Sequence, residues 1–264
     1  MRLLIISLSV FCILLTSNSA KADRRVAFVV GNGAYKSVQQ LPNAPVAAKS
    51  MVDLLGGLGF EVIAGTNLSR NEMADLLLEF GAKAQGADLA VFFFAGQGIA
   101  IEGAEYILPV DADIKSKMEI KLGSAINLDV TLEQTMGEAK VKLVFLDASR
   151  NDPFPGKAPS APHVSVKPGL LKMKSLDNSV IAYATGPGQT ALDGDAETGR
   201  PFTRALVANI AAHGVEIQQA LTKVRAQVNE ETNKRQLPWG HTNFSGVIYI
   251  NPLGSPPNSR LEPN

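Results

Sequence analysis

The sequence predicts an α/β protein with a mostly parallel sheet of roughly six strands and helices on both faces. The first observation is that short apolar runs alternate with helical periodicity from about residue 25 to residue 250. The second is that two of these runs end abruptly in small and polar residues, one at Gln97 and the other at Ser149. Buried strands of parallel sheets end in this way, at the edge where open α/β folds hold their sites.

Each predicted strand is a run of β-forming apolar residues bounded by Gly, Asp or polar residues. The strands are expected over 25–31, 61–65, 89–95, 141–147, 180–185 and 246–250, with a small hairpin over 99–108. The stretch 152–178 contains five prolines and four lysines and is expected to be a long surface loop.

The predicted helices show one apolar face each and recognisable ends. The first places Met51 and Leu55 on one face before a cluster of glycines, and the second starts at Ser69, where Glu72 completes a capping box. The predicted helices are 44–58, one starting at Ser69, 128–138, 202–212 and 215–230.

The amino terminus has the three parts of a secretory signal peptide. A charged start is followed by an apolar run over 3–15 and by small and polar residues up to Ala22. The run is shorter than the ~20 residues that a membrane span needs. We therefore predict a signal peptide over 1–22, export to the periplasm or the medium, and no membrane span after cleavage.

Composition limits the remaining possibilities. Lys plus Arg total 25 and Asp plus Glu total 25, so no nucleic-acid partner is indicated. The only cysteine, Cys12, lies in the predicted signal peptide, and the three histidines fit no metal spacing. We expect a folded domain over 23–250 without metal or cofactor, and a disordered Pro/Gly/Ser-rich tail over 251–264.

Two strand ends resemble those of a known family. The stretches Phe92–Gly98 and Val144–Asn151, together with Ala182–Thr203, resemble in order and spacing the caspase-like, metacaspase-related family of peptidase C14. The resemblance implies a caspase-like three-layer sandwich. It also implies that Gln97 stands at the family's catalytic His position and Ser149 at its catalytic Cys position.

These two substitutions predict that the site is inactive. A glutamine has no group that titrates near neutral pH, and a serine hydroxyl is inert unless a base activates it. Asp147 is two residues from Ser149, about 7 Å along a strand, which is long for direct proton transfer. The alternative is an active endopeptidase of the caspase type in which Ser149 is the nucleophile.

The resemblance implies roles for neighbouring residues, each with a simpler explanation. Gly98 would supply a backbone N–H to an oxyanion, or it would only permit a tight turn. Asp147 would bind a basic substrate side chain, or it would pair with Arg150 or another loop residue. A second acidic residue of such a pocket is expected where this chain has Ala47.

Three further residues complete the candidate set. Gln189 and Asp193 match family positions near the substrate groove, although both also suit turns. Trp239, the only tryptophan, is interpreted as a packing anchor beside the closing strand.

Three functions remain open on the sequence alone. The chain is predicted to be an exported pseudo-peptidase that binds a peptide or protein partner. The competing functions are a serine-dependent endopeptidase and an inert structural domain. The absence of any histidine at a matching position is what disfavours the endopeptidase.

Overall fold

The computed structural model describes residues 23–101, 103–114, 117–149, 176–186, 189–195 and 197–252, with the backbone alone considered at Ser149. The predicted signal peptide over 1–22, nearly all of the predicted loop over 152–178, and the tail beyond residue 252 lie outside the described residues.

Eight strands and six α-helices form the described part of the chain. The strands are β1 (Arg25–Gly31), β2 (Glu61–Thr66), β3 (Leu89–Ile101), β4 (Ala104–Ile107), β5 (Ile126–Asn127), β6 (Val141–Ser149), β7 (Ser179–Tyr183) and β8 (Trp239–Asn243). The helices are α1 (Ala44–Gly57), α2 (Arg70–Ala84), α3 (Lys117–Glu119, continued by a π-helical turn, Ile120–Ser124), α4 (Leu128–Met136), α5 (Pro201–Ile210) and α6 (Ile217–Glu231).

The main sheet has the strand order β2-β1-β3-β6-β7-β8. All neighbouring pairs along this path are parallel except β7 with β8, which is antiparallel. Strand β3 continues past the end of β1 and there pairs antiparallel with β4, as the predicted hairpin requires. These findings confirm the predicted fold class, an α/β sandwich around a mostly parallel sheet.

The sheet separates two apolar cores. On one face, alternate residues such as Val91 and Phe93 pack with α1, α5 and α6. On the other face, Phe92 and Phe94 pack with α2 and α4, and Phe92 stacks on Phe28 at 4.8 Å between ring centroids. Because every residue of β3 is buried, both of its faces are apolar, and its sequence runs without polar interruption up to Gly96.

The closing strand was predicted at the wrong place. The edge strand is Trp239–Asn243, whereas 246–250 forms only a single bridge, between Glu216 and Tyr249. The apolar run is buried for another reason: Ile248 and Ile250 pack into the core that contains α5 and α6, and the Ile248 carbonyl accepts a hydrogen bond at the start of α6.

The predicted tail begins at a residue that the fold holds. The Asn251 side chain donates to the Ala211 carbonyl at 2.9 Å, and the Asn251 carbonyl accepts from the Gly214 amide at 2.8 Å. None of the helices in the described part of the chain is both long and apolar enough to cross a membrane.

Candidate active site

The carboxyl ends of β3 and β6 bring the two predicted site residues together. The strands are parallel neighbours in unbroken register from Leu89 opposite Val141 to Gln97 opposite Ser149. Adjacent strands lie about 4.8 Å apart, so the two backbones are within side-chain reach of each other. The juxtaposition that the strand patterns predicted is therefore present.

Three hydrogen bonds hold Gln97 in place. Its side chain is only 5% exposed, and its amide Nε2 donates to the Gln39 carbonyl at 3.1 Å. Its backbone N–H donates to the Tyr35 hydroxyl at 2.7 Å, and its carbonyl accepts from the Leu108 amide at 3.0 Å. The carboxamide therefore acts as a structural donor here, and it cannot serve as a base because it has no group that titrates near neutral pH.

Tyr35 fixes the backbone that leads into this residue. Its buried hydroxyl accepts from Gln97 and donates to the Leu108 carbonyl at 3.2 Å. Burial raises the pKa of Tyr35 well above its usual value, and the Gln97 amide and the charge of Arg200 offset only part of this effect. A Cβ on Gly96 would come within 2.5 Å of the Tyr35 hydroxyl, so glycine is required for this close approach.

Gly98 continues β3 rather than forming a tight turn. It lies opposite Ile107 in the β3–β4 ladder, and the adjacent hydrogen bond runs from the Leu108 amide to the Gln97 carbonyl. In an antiparallel ladder this pattern marks a pair whose own N–H groups point away from each other. The Gly98 N–H is thus directed to the β6 side, where the Gln97–Ser149 pair places it within the parallel ladder, and its expected role as an oxyanion donor stays a prediction.

Both oxygens of the buried Asp147 carboxylate are bound by other residues. It is fully buried, and its Oδ1 accepts from Nη2 of Arg200 at 2.9 Å. The same Nη2 donates to the Asp147 carbonyl at 2.9 Å, and the Thr203 hydroxyl donates to Oδ2 at 2.6 Å. The alternative role of Asp147, an internal salt bridge, is therefore present, with Arg200 as its partner.

A second carboxylate meets the same guanidinium. Nη1 of Arg200 donates to Oδ1 of Asp193 at 2.6 Å, and Oδ2 of Asp193 accepts from the Asn43 amide at 3.2 Å. The Asn43 side chain also donates to the Asp193 carbonyl at 3.0 Å. Asp193 thereby links the start of α1 to the start of α5. Ala47, where the second pocket acid was expected, is buried in α1.

The guanidinium stays charged in this environment. Burial by itself lowers the pKa of Arg200, but the charge and hydrogen bond of Asp147, and then those of Asp193, outweigh burial, and the net shift is upward. A buried arginine between two carboxylates is a strongly coupled cluster whose members depend on one another.

Two candidates remain, Gln189 and Trp239. Gln189 is exposed, and its Oε1 accepts from the buried Thr185 hydroxyl at 2.8 Å, which closes a short turn. Trp239 lies within β8, and its ring centroid is 5.7 Å from that of Tyr183, in keeping with a packing role. Within the ranges described, no three His, Cys, Asp or Glu side chains come together in a group that could hold a metal ion.

Sequence reasoning missed four residues that organise the site: Tyr35, Asn43, Arg200 and Thr203. Each contacts a residue of the site that lies more than 50 residues away along the chain. The sequence carried no signal for Arg200, because a charged residue directly before a helix is usually exposed, and its burial here depends on a partner. Nothing in the sequence identified that partner.

The chain is similar in sequence to proteins that carry a caspase domain. The family model Peptidase C14, described as "Caspase domain", matches residues 24–247. The human protein "Mucosa-associated lymphoid tissue lymphoma translocation protein 1" is 26% identical over 178 residues, which cover 67% of this chain and 20% of that protein. Its mouse homolog is 27% identical over 172 residues, covering 65% and 19%. The chain spans about a fifth of the length of these relatives.

Proposed function

Because the chain belongs to the caspase-domain family, we propose that it is an exported caspase-like protein without peptidase activity, which binds a peptide or protein partner at the carboxyl edge of its sheet. The observation that carries the proposal is the pairing of Gln97 with Ser149 at the adjoining ends of β3 and β6. A cysteine peptidase needs a thiolate and a base at such a place, and neither residue can supply one. Export follows from the signal-peptide pattern of residues 1–22.

The surroundings of Ser149 support inactivity over a serine-dependent mechanism. Asp147 is the nearest acidic residue in sequence, but both of its oxygens are already bound, one by Arg200 and the other by Thr203. Protonation of this carboxylate would leave a buried guanidinium short of one counter-charge, which is costly. Asp147 is therefore a poor base for the Ser149 hydroxyl.

Catalysis is tested with the purified protein and a panel of fluorogenic peptides. We expect no hydrolysis above that of a Ser149→Ala variant. Turnover by the unchanged protein that disappears in Ser149→Ala would replace the proposal with the serine-peptidase alternative. Turnover that persists in this variant would indicate a contaminating peptidase or a different site.

Partner binding is tested by photocrosslinking from an exposed position near the carboxyl edge of the sheet. A photoreactive residue replaces Gln189 in one variant and Leu78, exposed on α2 at the opposite face, in the control. We expect a discrete crosslinked species from position 189 alone, in material from the exported fraction. Equal crosslinking from both positions, or none from position 189, would contradict binding at this edge.

A further inference from the structure

A slot lies between α6 and the β8 edge of the main sheet, on the face that also packs against α1 and α5. Its volume is about 260 Å³, near the lower end of the pockets that hold small molecules in proteins. Residues of β7 and β8 form its floor, residues of α6 form its roof, and the buried Phe202 of α5 also lines it. Gln97, Gly98 and Asp147 do not line it, so the slot is distinct from the candidate active site.

The slot exists because two small residues lie opposite each other in its floor. Ala182 of β7 pairs with Gly240 of β8, and paired residues of an antiparallel ladder share one face of the sheet. A Cβ on Gly240 would lie 2.4 Å from the Ile181 carbonyl oxygen, so this position cannot carry a side chain unless the backbone moves. The fold therefore leaves the space above this pair unfilled.

The chemistry of the slot changes along α6. Leu221 and Val224 make the roof apolar between Gln218 and Arg225, a rise of about 10 Å along the helix. At the far end, Nη1 of Arg225 donates to the Pro238 carbonyl at 2.5 Å, which holds the guanidinium beside the slot. No carboxylate pairs with Arg225 in the part of the chain that the structure describes. The slot is therefore an elongated apolar space with one uncompensated cation at its end.

We propose that this slot binds an unbranched alkyl monocarboxylate, with the carboxylate on Arg225 and the alkyl chain along α6. A guanidinium pairs with a carboxylate through its planar fork, and the alkyl chain removes the apolar lining from water. A neutral alkyl compound would leave the cation without a counter-charge, whereas a short carboxylate would leave the apolar lining hydrated. The proposal goes beyond the proposed function, because it concerns a small molecule at another part of the sheet.

Isothermal titration calorimetry of the purified protein with octanoate, 1-octanol and acetate separates the two contributions. Octanoate has both parts, octanol lacks the charge, and acetate lacks the chain. We expect octanoate to bind saturably at a single site, and each of the other two compounds to bind at least roughly tenfold more weakly. From butanoate to hexanoate to octanoate, the affinity should rise about fourfold for each methylene that becomes buried.

Two pairs of variants test the position of the ligand. Arg225→Gln should weaken octanoate binding by roughly tenfold or more, since glutamine keeps a donor but loses the charge. Arg235→Gln is the matched control, because Arg235 is exposed beyond the end of α6 and does not line the slot. Thr222→Phe fills the slot from an exposed position of α6 and should abolish binding. Lys223→Phe, at the next and equally exposed position outside the slot, should leave binding unchanged.

Three results would overturn the inference. The first is octanol binding as tightly as octanoate, or no saturable binding of any carboxylate in the series. The second is an equal loss of affinity in Arg225→Gln and Arg235→Gln, or in Thr222→Phe and Lys223→Phe. The third is a dimer in analytical ultracentrifugation that Thr222→Phe dissociates and octanoate does not, because a second copy of the chain would then cover the slot. Crosslinking from position 189 is a separate readout, so the proposed peptide binding stands or falls independently.

Discussion

Tyr35→Phe removes one hydroxyl from beneath the candidate site and should destabilise the protein measurably. The hydroxyl accepts from the buried Gln97 amide at 2.7 Å and donates to the Leu108 carbonyl at 3.2 Å. The substitution leaves a buried N–H without a partner, which costs about 1–3 kcal/mol, and forfeits a second hydrogen bond worth about 1 kcal/mol. We expect the free energy of unfolding to fall by roughly 2–4 kcal/mol.

We also expect the buried Tyr35 hydroxyl to make the folded protein less stable at alkaline pH. Burial raises the pKa of Tyr35 in the folded state above its value in the unfolded chain, near 10. The associated stability is present in full below the unfolded pKa and is lost as the pH rises toward the folded one, because only the unfolded state then releases the proton. Between neutral pH and about pH 11, this group alone should cost the wild-type protein about 1.4 kcal/mol.

Urea unfolding followed by the fluorescence of Trp239, the only tryptophan, measures both effects. Tyr249→Phe is the matched control because Tyr249 is 40% exposed. Tyr35→Phe should lose stability at neutral pH and show the shallower decline toward high pH, whereas the control should follow the wild-type protein. A loss below about 0.5 kcal/mol, the range of ordinary surface substitutions, would refute the assigned role of the hydroxyl.

Three further predictions concern the strand ends. Asp147→Ala should lower the free energy of unfolding by about 3–5 kcal/mol, measured by urea titration, because it strands a buried cation. Gln97→His combined with Ser149→Cys should hydrolyse Arg- or Lys-containing peptides faster than either single variant, since nucleophile and base act as a unit; equal rates in all three would contradict this. Gly96→Ala should lower the melting temperature through crowding, whereas Gly56→Ala, in open space on α1, should raise it slightly.

The position of the site could be predicted because the strand patterns show where the two strands that form it end. Continuous apolar runs identify buried parallel strands, and the abrupt change at Gln97 and at Ser149 marks where each strand leaves the core. The prediction that these two strand ends lie together came from the family resemblance, in which the two positions belong to one site. The exact register, which sets Gln97 opposite Ser149, comes from the structure and was not specified by the strand patterns.

The closing strand lies away from its predicted position for a physical reason. The run Gly246–Ile250 is more apolar than Trp239–Asn243, and apolar content by itself favours sheet pairing for the first of these runs. Apolar content indicates that a segment is buried, however, and not that it pairs in a sheet. Ile248 and Ile250 are buried because they pack in the core around α5 and α6. The true edge strand pairs on one side only, so its residues face solvent and can be polar, as the exposed Thr242 and Asn243 illustrate.

Polar partners across the site were beyond sequence reasoning. Proximity along the chain favours Arg150 as the partner of Asp147, but the salt bridge reaches Arg200, 53 residues further along. Periodicity cannot identify such a pair, because a single buried charge interrupts the apolar pattern in the same way as a surface residue. Only the fold, which sets the start of α5 against the end of β6, brings the two charges together.

The buried Asp147 and the glutamine at position 97 each remove one requirement of a peptidase that cleaves after basic residues. The buried carboxylate of Asp147, two residues before the end of β6, needs a counter-charge. In this chain the counter-charge is the guanidinium of Arg200. Both oxygens of Asp147 are already bound, which disfavours recognition of a basic substrate residue, and Gln97 has no group that titrates near neutral pH, which disfavours proton transfer. Restoring the histidine and the cysteine would therefore rebuild the reacting pair but would leave Asp147 bound to Arg200, so any peptide hydrolysis recovered by that double variant should show little preference for Arg or Lys over neutral residues in a panel of fluorogenic peptides.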